Sequence, residues 1–309
     1  MSQQAASQQA AGTLPLVADG PSGRKPGSAG TIARTGPLLA WPVVVLGVFF
    51  ALPFALLVRV SLAPHDQTGL WLGGVSLAPI AALADPLLLR SLAISLGLAL
   101  VVGALSVTVG FPLAWLITGM RRRRQVVWLI LLLATLSLSE VLIVFSWQVM
   151  LSKRIGLSEI LVAVGLMDEP DGLAPSVGAV VACLLYLIVP FVVLTLYPPL
   201  SRLDRSLIEA ARTLGASGRQ AFVTVVLPLV RGPIASAFSL AAVLTLGSYV
   251  TPVVLGPAKY WTVAILISKA ALGAHDLPGA AAMALLLLAV ALLLLTGLAR
   301  LGRGRIAAP

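Results

Sequence analysis

Six long apolar runs, with a single charged residue among them, constrain the fold of this 309-residue chain more than any other feature. They cover residues 38–58, 91–118, 126–149, 176–198, 233–254 and 278–299. Each run is long enough for a membrane span, because a helix needs about 20 apolar residues to cross roughly 30 Å of hydrocarbon. Since only 10% of the chain is charged, the sequence predicts an all-α integral membrane protein with six transmembrane helices.

Two further stretches, residues 70–89 and 260–275, are apolar but are not predicted to span the membrane. Asp85 and two prolines interrupt the first stretch, and Lys269 lies within the second. Either stretch suits a short amphipathic helix at the membrane interface.

The lysines and arginines orient the predicted helices. If the N-terminus is cytoplasmic, the cytoplasmic side holds 15 of the 21 basic residues: Arg24, Lys25, Arg34, Arg121, Arg122, Arg123, Arg124, Arg202, Arg205, Arg212, Arg219, Arg231, Arg300, Arg303 and Arg305. The opposite side then holds six: Arg59, Arg90, Lys153, Arg154, Lys259 and Lys269. This excess follows the positive-inside rule, so both termini are predicted to be cytoplasmic.

Both ends of the chain are predicted to be tails outside the membrane. Residues 1–36 are rich in Gln, Ala, Gly, Ser and Pro, which is typical of a disordered segment, and the first apolar run begins only at Leu38. We therefore expect an uncleaved cytoplasmic tail at 1–36, the first transmembrane helix and an external connection at 37–90, and a cytoplasmic C-terminal tail at 300–309.

Few residues could support catalysis, and we predict no catalytic site, metal or cofactor. Cys183, the only cysteine, lies in an apolar run and is interpreted as a packing residue. His65 and His275 both fall in predicted external connections, and no HExxH, GxSxG or P-loop motif is present. The basic residues are spread over loops between spans. This distribution indicates that they orient the protein in the membrane, and it disfavours a role in nucleic-acid binding.

Glu140 is the one acidic residue well inside a predicted transmembrane helix. A carboxylate in the membrane is costly, so it usually faces a cavity or a polar partner. Four interpretations stay open: a pathway for a cationic substrate, a protonated acid bonded to Ser137 or Ser139, an ion pair with residues 121–124, or a contact with a partner subunit.

The connection after the fourth predicted helix, residues 201–231, carries the most informative local pattern. Ser201 and Asp204 have capping-box spacing, and Gly215 suits the left-handed position that ends a helix. Between them the spacing predicts an amphipathic helix whose apolar face is formed by Leu203, Leu207, Ala210, Ala211 and Leu214.

A second helix is predicted directly after this first one. Ser217 and Gln220 form another capping box, and Pro228 interrupts the helical pattern that follows. The resulting helix, glycine corner and helix form a cytoplasmic element whose apolar face could contact either a protein partner or the lipid surface.

The same loop matches a longer spacing pattern: Glu-Ala-Ala, three residues, Gly, nine residues, Ile, one residue, Leu-Pro, with Val225 in the place of Ile. This pattern resembles the signature loop of binding-protein-dependent ABC importer permeases (type I, MetI-like fold). The resemblance covers residues 91–299 and implies a coupling helix between transmembrane helices 4 and 5. The resemblance assigns Glu209, Ala210, Ala211, Gly215, Leu227 and Pro228 to this coupling loop, and the first four would form the contact with the ATPase.

The resemblance also implies partners and a location. It predicts a multi-pass protein of the bacterial inner membrane that assembles with a cytoplasmic ABC ATPase dimer, a second permease subunit (a copy or a paralogue) and an external solute-binding protein. Membrane lipid is the remaining expected partner. ATP hydrolysis would take place in the separate ATPase chain, and transport would follow alternating access.

Residues 246–256 and 277–282 resemble spermidine/putrescine-type permeases, which implies a polyamine or related organic cation as the solute. One departure is Ile143, where such permeases commonly carry an Arg. Permeases for iron, sulfate, amino acids or opine-like solutes are the alternatives, and a self-contained secondary transporter is a different class. The candidate pathway residues are Glu140, Trp147, Ser248, Tyr249 and Thr251.

Overall fold

The computed structural model describes residues 32–64, 74–153, 156–165, 171–204 and 206–302, with the backbone alone for 32–41, 160, 161, 163, 301 and 302. Residues 1–31 of the predicted N-terminal tail and 303–309 of the predicted C-terminal tail lie outside these ranges. The chain divides into two compact units, residues 1–53 and 54–309. The described part of the first unit is a single apolar helix that begins at Ile32.

Within the described ranges the chain is helical, and the one β contact is an isolated bridge between Leu151 and Gly156. The helices in chain order are α1 (Ile32–Ser61), α2 (Ala78–Ala81, followed by a 3-10 turn at Ala82–Ala84), α3 (Pro86–Gly119), α4 (Arg122–Leu136), α5 (Glu140–Met150), α6 (Leu157–Ala163), α7 (Val177–Ser201), α8 (Ser206–Thr213), α9 (Gly218–Leu246), α10 (Val250–Leu255), α11 (Val263–Gly273) and α12 (Leu277–Gly302).

Five of the described helices are long and apolar enough to cross a membrane, namely α1, α3, α7, α9 and α12. The pair α4 and α5 passes the same test together but is bent by 89°. The prediction of an all-α membrane protein is therefore confirmed, and the count of six stays a prediction because it requires the bent pair to be one span. The stretch 260–275 forms the short helix α11, which is too short to span.

The prediction of one continuous helix over residues 126–149 is wrong. α4 ends at Leu136, and α5 begins at Glu140 after a break at 137–139. The hydroxyls of Thr135 and Ser137 donate to the carbonyls of Leu132 and Leu133. Hydroxyl groups that bond locally to backbone carbonyls bend helices, and an acidic residue is favoured in a helix's first turn.

The predicted fifth span, 233–254, also differs from the structure. α9 begins at Gly218 and ends at Leu246, and α10 starts at Val250 after a second break. Pro228 does not interrupt α9, because a π turn at Phe222–Val226 precedes it and leaves it in the first turn of the regular helix at Leu227. Pro228 therefore marks a change of helix type and not a helix end, and Pro233 lies within the regular α-helix.

Helices α3, α7 and α9 form the core of the second unit. The buried face of α3 is built mostly from small residues: Ser91, Ser95, Ala99, Gly103, Ser106, Gly110 and Ala114. A Cβ atom at Gly110 would lie 2.7 Å from Val192 Cγ1 on α7, closer than two carbon atoms can pack. Small residues allow the helix backbones to approach closely, which stabilises helix pairs in membranes.

Candidate functional site

Two broken helices border one cavity of about 390 Å³ in the second unit. The break between α4 and α5 contributes Leu138 and Glu140, and the break between α9 and α10 contributes Gly247, Ser248 and Tyr249. Non-helical backbone at membrane depth is tolerated only where it is buried in protein or lines a cavity. Discontinuous helices whose ends meet at such a cavity form the substrate sites of several transporter folds.

Glu140 is the first residue of α5, so the prediction that it lies in the interior of a helix is corrected. The Thr251 hydroxyl donates to Glu140 Oε1 at 3.3 Å, and Thr251 itself is fully buried at the start of α10. Two of the earlier alternatives do not hold in the structure. Ser137 donates to the Leu133 carbonyl, and the side-chain partner of Glu140 within the described residues is Thr251 and neither Ser137 nor Ser139. No ion pair among the described residues joins Glu140 to 121–124.

Tyrosines from two elements also line the cavity. Tyr249 comes from the second helix break, and Tyr186 projects from α7. The Tyr186 ring lies 6.1 Å from the Trp147 ring, centroid to centroid, with the planes tilted by 56°. Trp147, which was predicted as a pathway residue, supports Tyr186 and is not itself among the residues that line the cavity.

The structure thus brings three of the five predicted pathway residues to the cavity wall: Glu140, Ser248 and Tyr249. Thr251 does not line the cavity but is hydrogen-bonded to Glu140, which does. The Ser248 hydroxyl is buried and has no hydrogen-bond partner within the described structure, so it is available to a polar ligand. Tyr186 was missed, although a tyrosine in an otherwise aliphatic run is a signal, since its hydroxyl requires a polar surrounding.

The predicted loop at 201–231 folds as two helices around a glycine corner. α8 ends at Thr213, Gly215 has a φ of +91°, and α9 begins at Gly218. This backbone conformation is the left-handed one that side chains with a Cβ rarely adopt. The capping box between Ser217 and Gln220 is present in both directions, as predicted.

Two details of the loop prediction are wrong. Ser201 is the last residue of α7, and its hydroxyl donates to Pro198, so it does not cap α8. Asp204 instead accepts a hydrogen bond from the Ser206 amide, which lowers the pKa of its carboxyl group. Leu203 and Leu214 lie outside α8, so the predicted five-residue apolar face is not formed.

The outer surface of α8 carries several of the predicted contact residues. Glu209 and Ala210 are exposed, Ala211 is half-buried, and Leu214 just beyond the helix is 89% exposed. Leu227 and Pro228 are also exposed but lie on α9, beyond the π turn. An exposed helix surface with small side chains, followed by an exposed leucine, suits contact with a protein partner.

Phe222 connects this loop to the transmembrane core. It lies in the π turn of α9, and its ring makes edge contacts with Phe111 and Trp115 of α3, each at 5.9 Å between centroids. Aromatic pairs in this geometry are each worth about 0.5–1.5 kcal/mol beyond the area that they bury. Phe222 therefore packs the start of α9 against the C-terminal half of α3.

Among the described residues, no three His, Cys, Asp or Glu side chains lie close enough together to hold a metal ion. Residues 106–307 match the family described as binding-protein-dependent transport system inner membrane component. The chain belongs to this family. It is a permease subunit of an ABC importer and a multi-pass protein of the inner membrane, as the loop resemblance implied.

Individual relatives agree with this assignment. The permease is 29% identical over 251 residues to the spermidine/putrescine transport system permease protein PotB of Escherichia coli (strain K12), over 81% of this chain and 91% of PotB. Its fold is similar to a crystal structure of a bacterial ABC transporter involved in the import of the acidic polysaccharide alginate. That match has a TM-score of 0.69 and 18% identity, and covers 90% of the permease and 98% of the other chain.

A second crystal structure shows the same likeness. It is a bacterial alginate ABC transporter in complex with an alginate pentasaccharide-bound periplasmic protein. The TM-score is again 0.69, at 15% identity, over 88% of the permease and 96% of that chain. At this level of identity the likeness shows the fold of the permease alone.

Proposed function

We propose that this permease subunit conducts a polyamine, such as spermidine or putrescine, or a related organic cation through the cavity between the two helix breaks. The observation that carries the proposal is the Glu140 carboxylate at the cavity wall, beside Tyr186 and Tyr249. The similarity to PotB over most of both chains supports the same solute class.

The chemistry of the cavity suits an ammonium group on a flexible hydrocarbon chain. A carboxylate at low dielectric pairs strongly with a cation, and tyrosine faces attract cations through their ring quadrupole. Leu187, Ile188 and Phe191 of α7 form an apolar wall that could contact the methylene segments of the solute. The unpartnered Ser248 hydroxyl adds a polar group that can accept a hydrogen bond from the solute.

The same carboxylate argues against an anionic solute. Sulfate or an acidic polysaccharide would meet the charge of Glu140 with no arginine or lysine among the residues that line the cavity. The likeness to the alginate transporters concerns the fold, so it does not favour their substrate.

We further propose the assembly in which this subunit works. In that arrangement six spans place both termini in the cytoplasm, and the domain over 91–299 pairs with a second permease subunit. α8 and the corner that follows it dock into a cytoplasmic ABC ATPase dimer through Glu209, Ala210, Ala211 and Gly215. An external solute-binding protein delivers the solute, an interpretation supported by the periplasmic protein bound to the alginate transporter.

The proposal is tested by transport in proteoliposomes that contain the permease, its ATPase and its second permease subunit, with the solute-binding protein added outside. We expect saturable, ATP-dependent uptake of labelled spermidine that unlabelled putrescine inhibits and sulfate does not. Uptake of sulfate or an amino acid without uptake of spermidine would overturn the solute class. Uptake without added ATPase would overturn the ABC mechanism itself.

A further inference from the structure

Four consecutive arginines open helix α4. Arg121 is the N-cap residue, and Arg122, Arg123 and Arg124 fill its first turn. Across the part of the chain that the structure describes, none of the four guanidinium groups forms an ion pair with an acidic side chain. The amino end of a helix carries a partial positive charge, so four cations there repel both that charge and one another. An anion outside this chain would offset the repulsion.

Arg122 differs from its three neighbours because its side chain is hydrogen-bonded to other side chains of the permease. Its Nη1 atom donates to the Tyr197 hydroxyl at 3.3 Å and to Gln125 Oε1 at 3.4 Å. The Gln125 amide in turn donates to the carbonyl of Met120 at 2.9 Å, which fixes the end of α3. The turn is thereby held against α3 and α7. All four arginines are exposed, and Arg122 alone among them forms a side-chain hydrogen bond within the described part of the chain.

The residues that follow place this turn at a defined depth in the bilayer. Val127, Ile130 and Leu131 on the next turns of α4 are apolar and more than half exposed, which in a membrane protein is a surface toward hydrocarbon. Trp128 is also exposed, and tryptophan rings collect at the boundary between headgroups and acyl chains. At 1.5 Å per residue, Arg124 lies about 6 Å along the axis from Trp128, on the side away from Ile130 and Leu131.

We propose that Arg121, Arg123 and Arg124 bind the phosphate groups of anionic phospholipids in the adjoining leaflet. A guanidinium group donates two parallel hydrogen bonds to a phosphate, and three such groups on a fixed turn form a preorganised basic patch. The occupant is a lipid and not a soluble phosphate, because the apolar surface of α4 directly below the patch accommodates the acyl chains. This binding site is independent of the solute and of the pathway.

The test uses the full-length permease in phosphatidylcholine vesicles that contain a minor fraction of brominated phosphatidylglycerol or, separately, brominated phosphatidylcholine. Bromine quenches tryptophan fluorescence on contact. The contribution of Trp128 is the difference between the native chain and a Trp128→Phe variant. We expect brominated phosphatidylglycerol to quench Trp128 with an apparent affinity roughly three- to tenfold above that of brominated phosphatidylcholine.

Two triple variants decide the role of the patch. R121Q/R123Q/R124Q, which keeps the structurally bound Arg122, is expected to lower the preference for the anionic lipid to about one. R121K/R123K/R124K keeps the charge and is expected to retain most of the preference. The circular dichroism and gel-filtration profiles of the two variants are compared, and matching profiles show that the glutamine variant is folded.

Two outcomes would overturn the inference. The first is equal quenching by both lipids in the native chain, and the second is a preference that survives in the glutamine variant. If that variant keeps the preference and also no longer co-purifies with the ATPase, the patch is assigned to a protein partner.

Discussion

The Thr251 hydroxyl donates a hydrogen bond to Glu140 Oε1 at 3.3 Å, and so joins two residues that lie 111 positions apart in the chain. Each of them belongs to the first turn of a short helix that follows a break. Both breaks line the same cavity. A cation that pairs with Glu140 would compete with Thr251 for the carboxylate and would thereby act on α5 and α10 together.

Replacing Glu140 by Gln tests the charge of this site. The Gln carbonyl can still accept from Thr251, so the local structure is kept while the negative charge is lost. Since hydrogen bonds to charged groups contribute about 1.5–3 kcal/mol, we expect spermidine uptake at low concentration to fall by roughly ten- to a hundredfold. Initial rates of ATP-dependent uptake in proteoliposomes measure the effect.

Glu159→Gln is the matched control for this substitution. Glu159 is an exposed acid on α6 and does not line the cavity, so its variant is expected to transport normally. If Glu140→Gln transports spermidine at the native rate, Glu140 is not part of the pathway.

Apolar length is a strong sequence signal, which is why most of the membrane-crossing helices could be predicted closely. The positions of the two helix breaks could not. Residues 137–139 and 247–249 are uncharged and do not interrupt an apolar window. Local hydroxyl bonds and a glycine weaken a helix there but do not by themselves end it. Both breaks and Tyr186 line the cavity, so the cavity could be identified only from the tertiary structure.

The two errors in the loop prediction have a different physical cause. The predicted apolar periodicity includes Leu203 and Leu214, which lie beyond the ends of α8. Capping pairs that close on themselves, such as Ser217 with Gln220, are local and could be predicted. Ser201 has the same spacing relative to Asp204, but α7 continues through it, because packing of α7 in the core outweighs a weak capping preference.

Ser217→Ala tests how much the capping box contributes to the start of α9. Loss of an N-cap side chain costs about 0.5–2 kcal/mol, so amide hydrogen exchange over 217–222 is expected to be roughly two- to thirtyfold faster. Exchange in α12 serves as the internal reference. Ser201→Ala is the control, because Ser201 lies at the end of α7 and its hydroxyl bonds to Pro198; it should leave this exchange unchanged. A similar acceleration in both variants would contradict the assigned cap.

Gly215→Asp tests the proposed coupling loop. The glycine φ of +91° is unfavourable for a residue with a Cβ by about 1–2 kcal/mol, although nothing lies within 4 Å of that position. Backbone strain and a new negative charge both act on the exposed corner beside α8. We expect normal membrane insertion and loss of co-purification with the ATPase.

The control for that variant is Gly218→Asp. Gly218 is three residues away, has equally open surroundings, and lies in the first turn of α9, where an acidic side chain is favourable. It should recruit the ATPase normally. Normal recruitment by Gly215→Asp would show that the corner at Gly215 takes no part in coupling.

Gly110→Ala tests the close packing of α3 against α7. The added Cβ would lie 2.7 Å from Val192 Cγ1, and overpacking of this kind costs about 1–3 kcal/mol. The thermal midpoint of the purified permease in detergent should fall accordingly. Gly97→Ala on the same helix meets no atom within 4 Å and should be neutral or slightly stabilising. The double variant with Val192→Ala removes the clashing methyl groups, so its thermal midpoint should recover part of the decrease caused by Gly110→Ala. Strictly additive decreases would show that this contact does not set the distance between the helices.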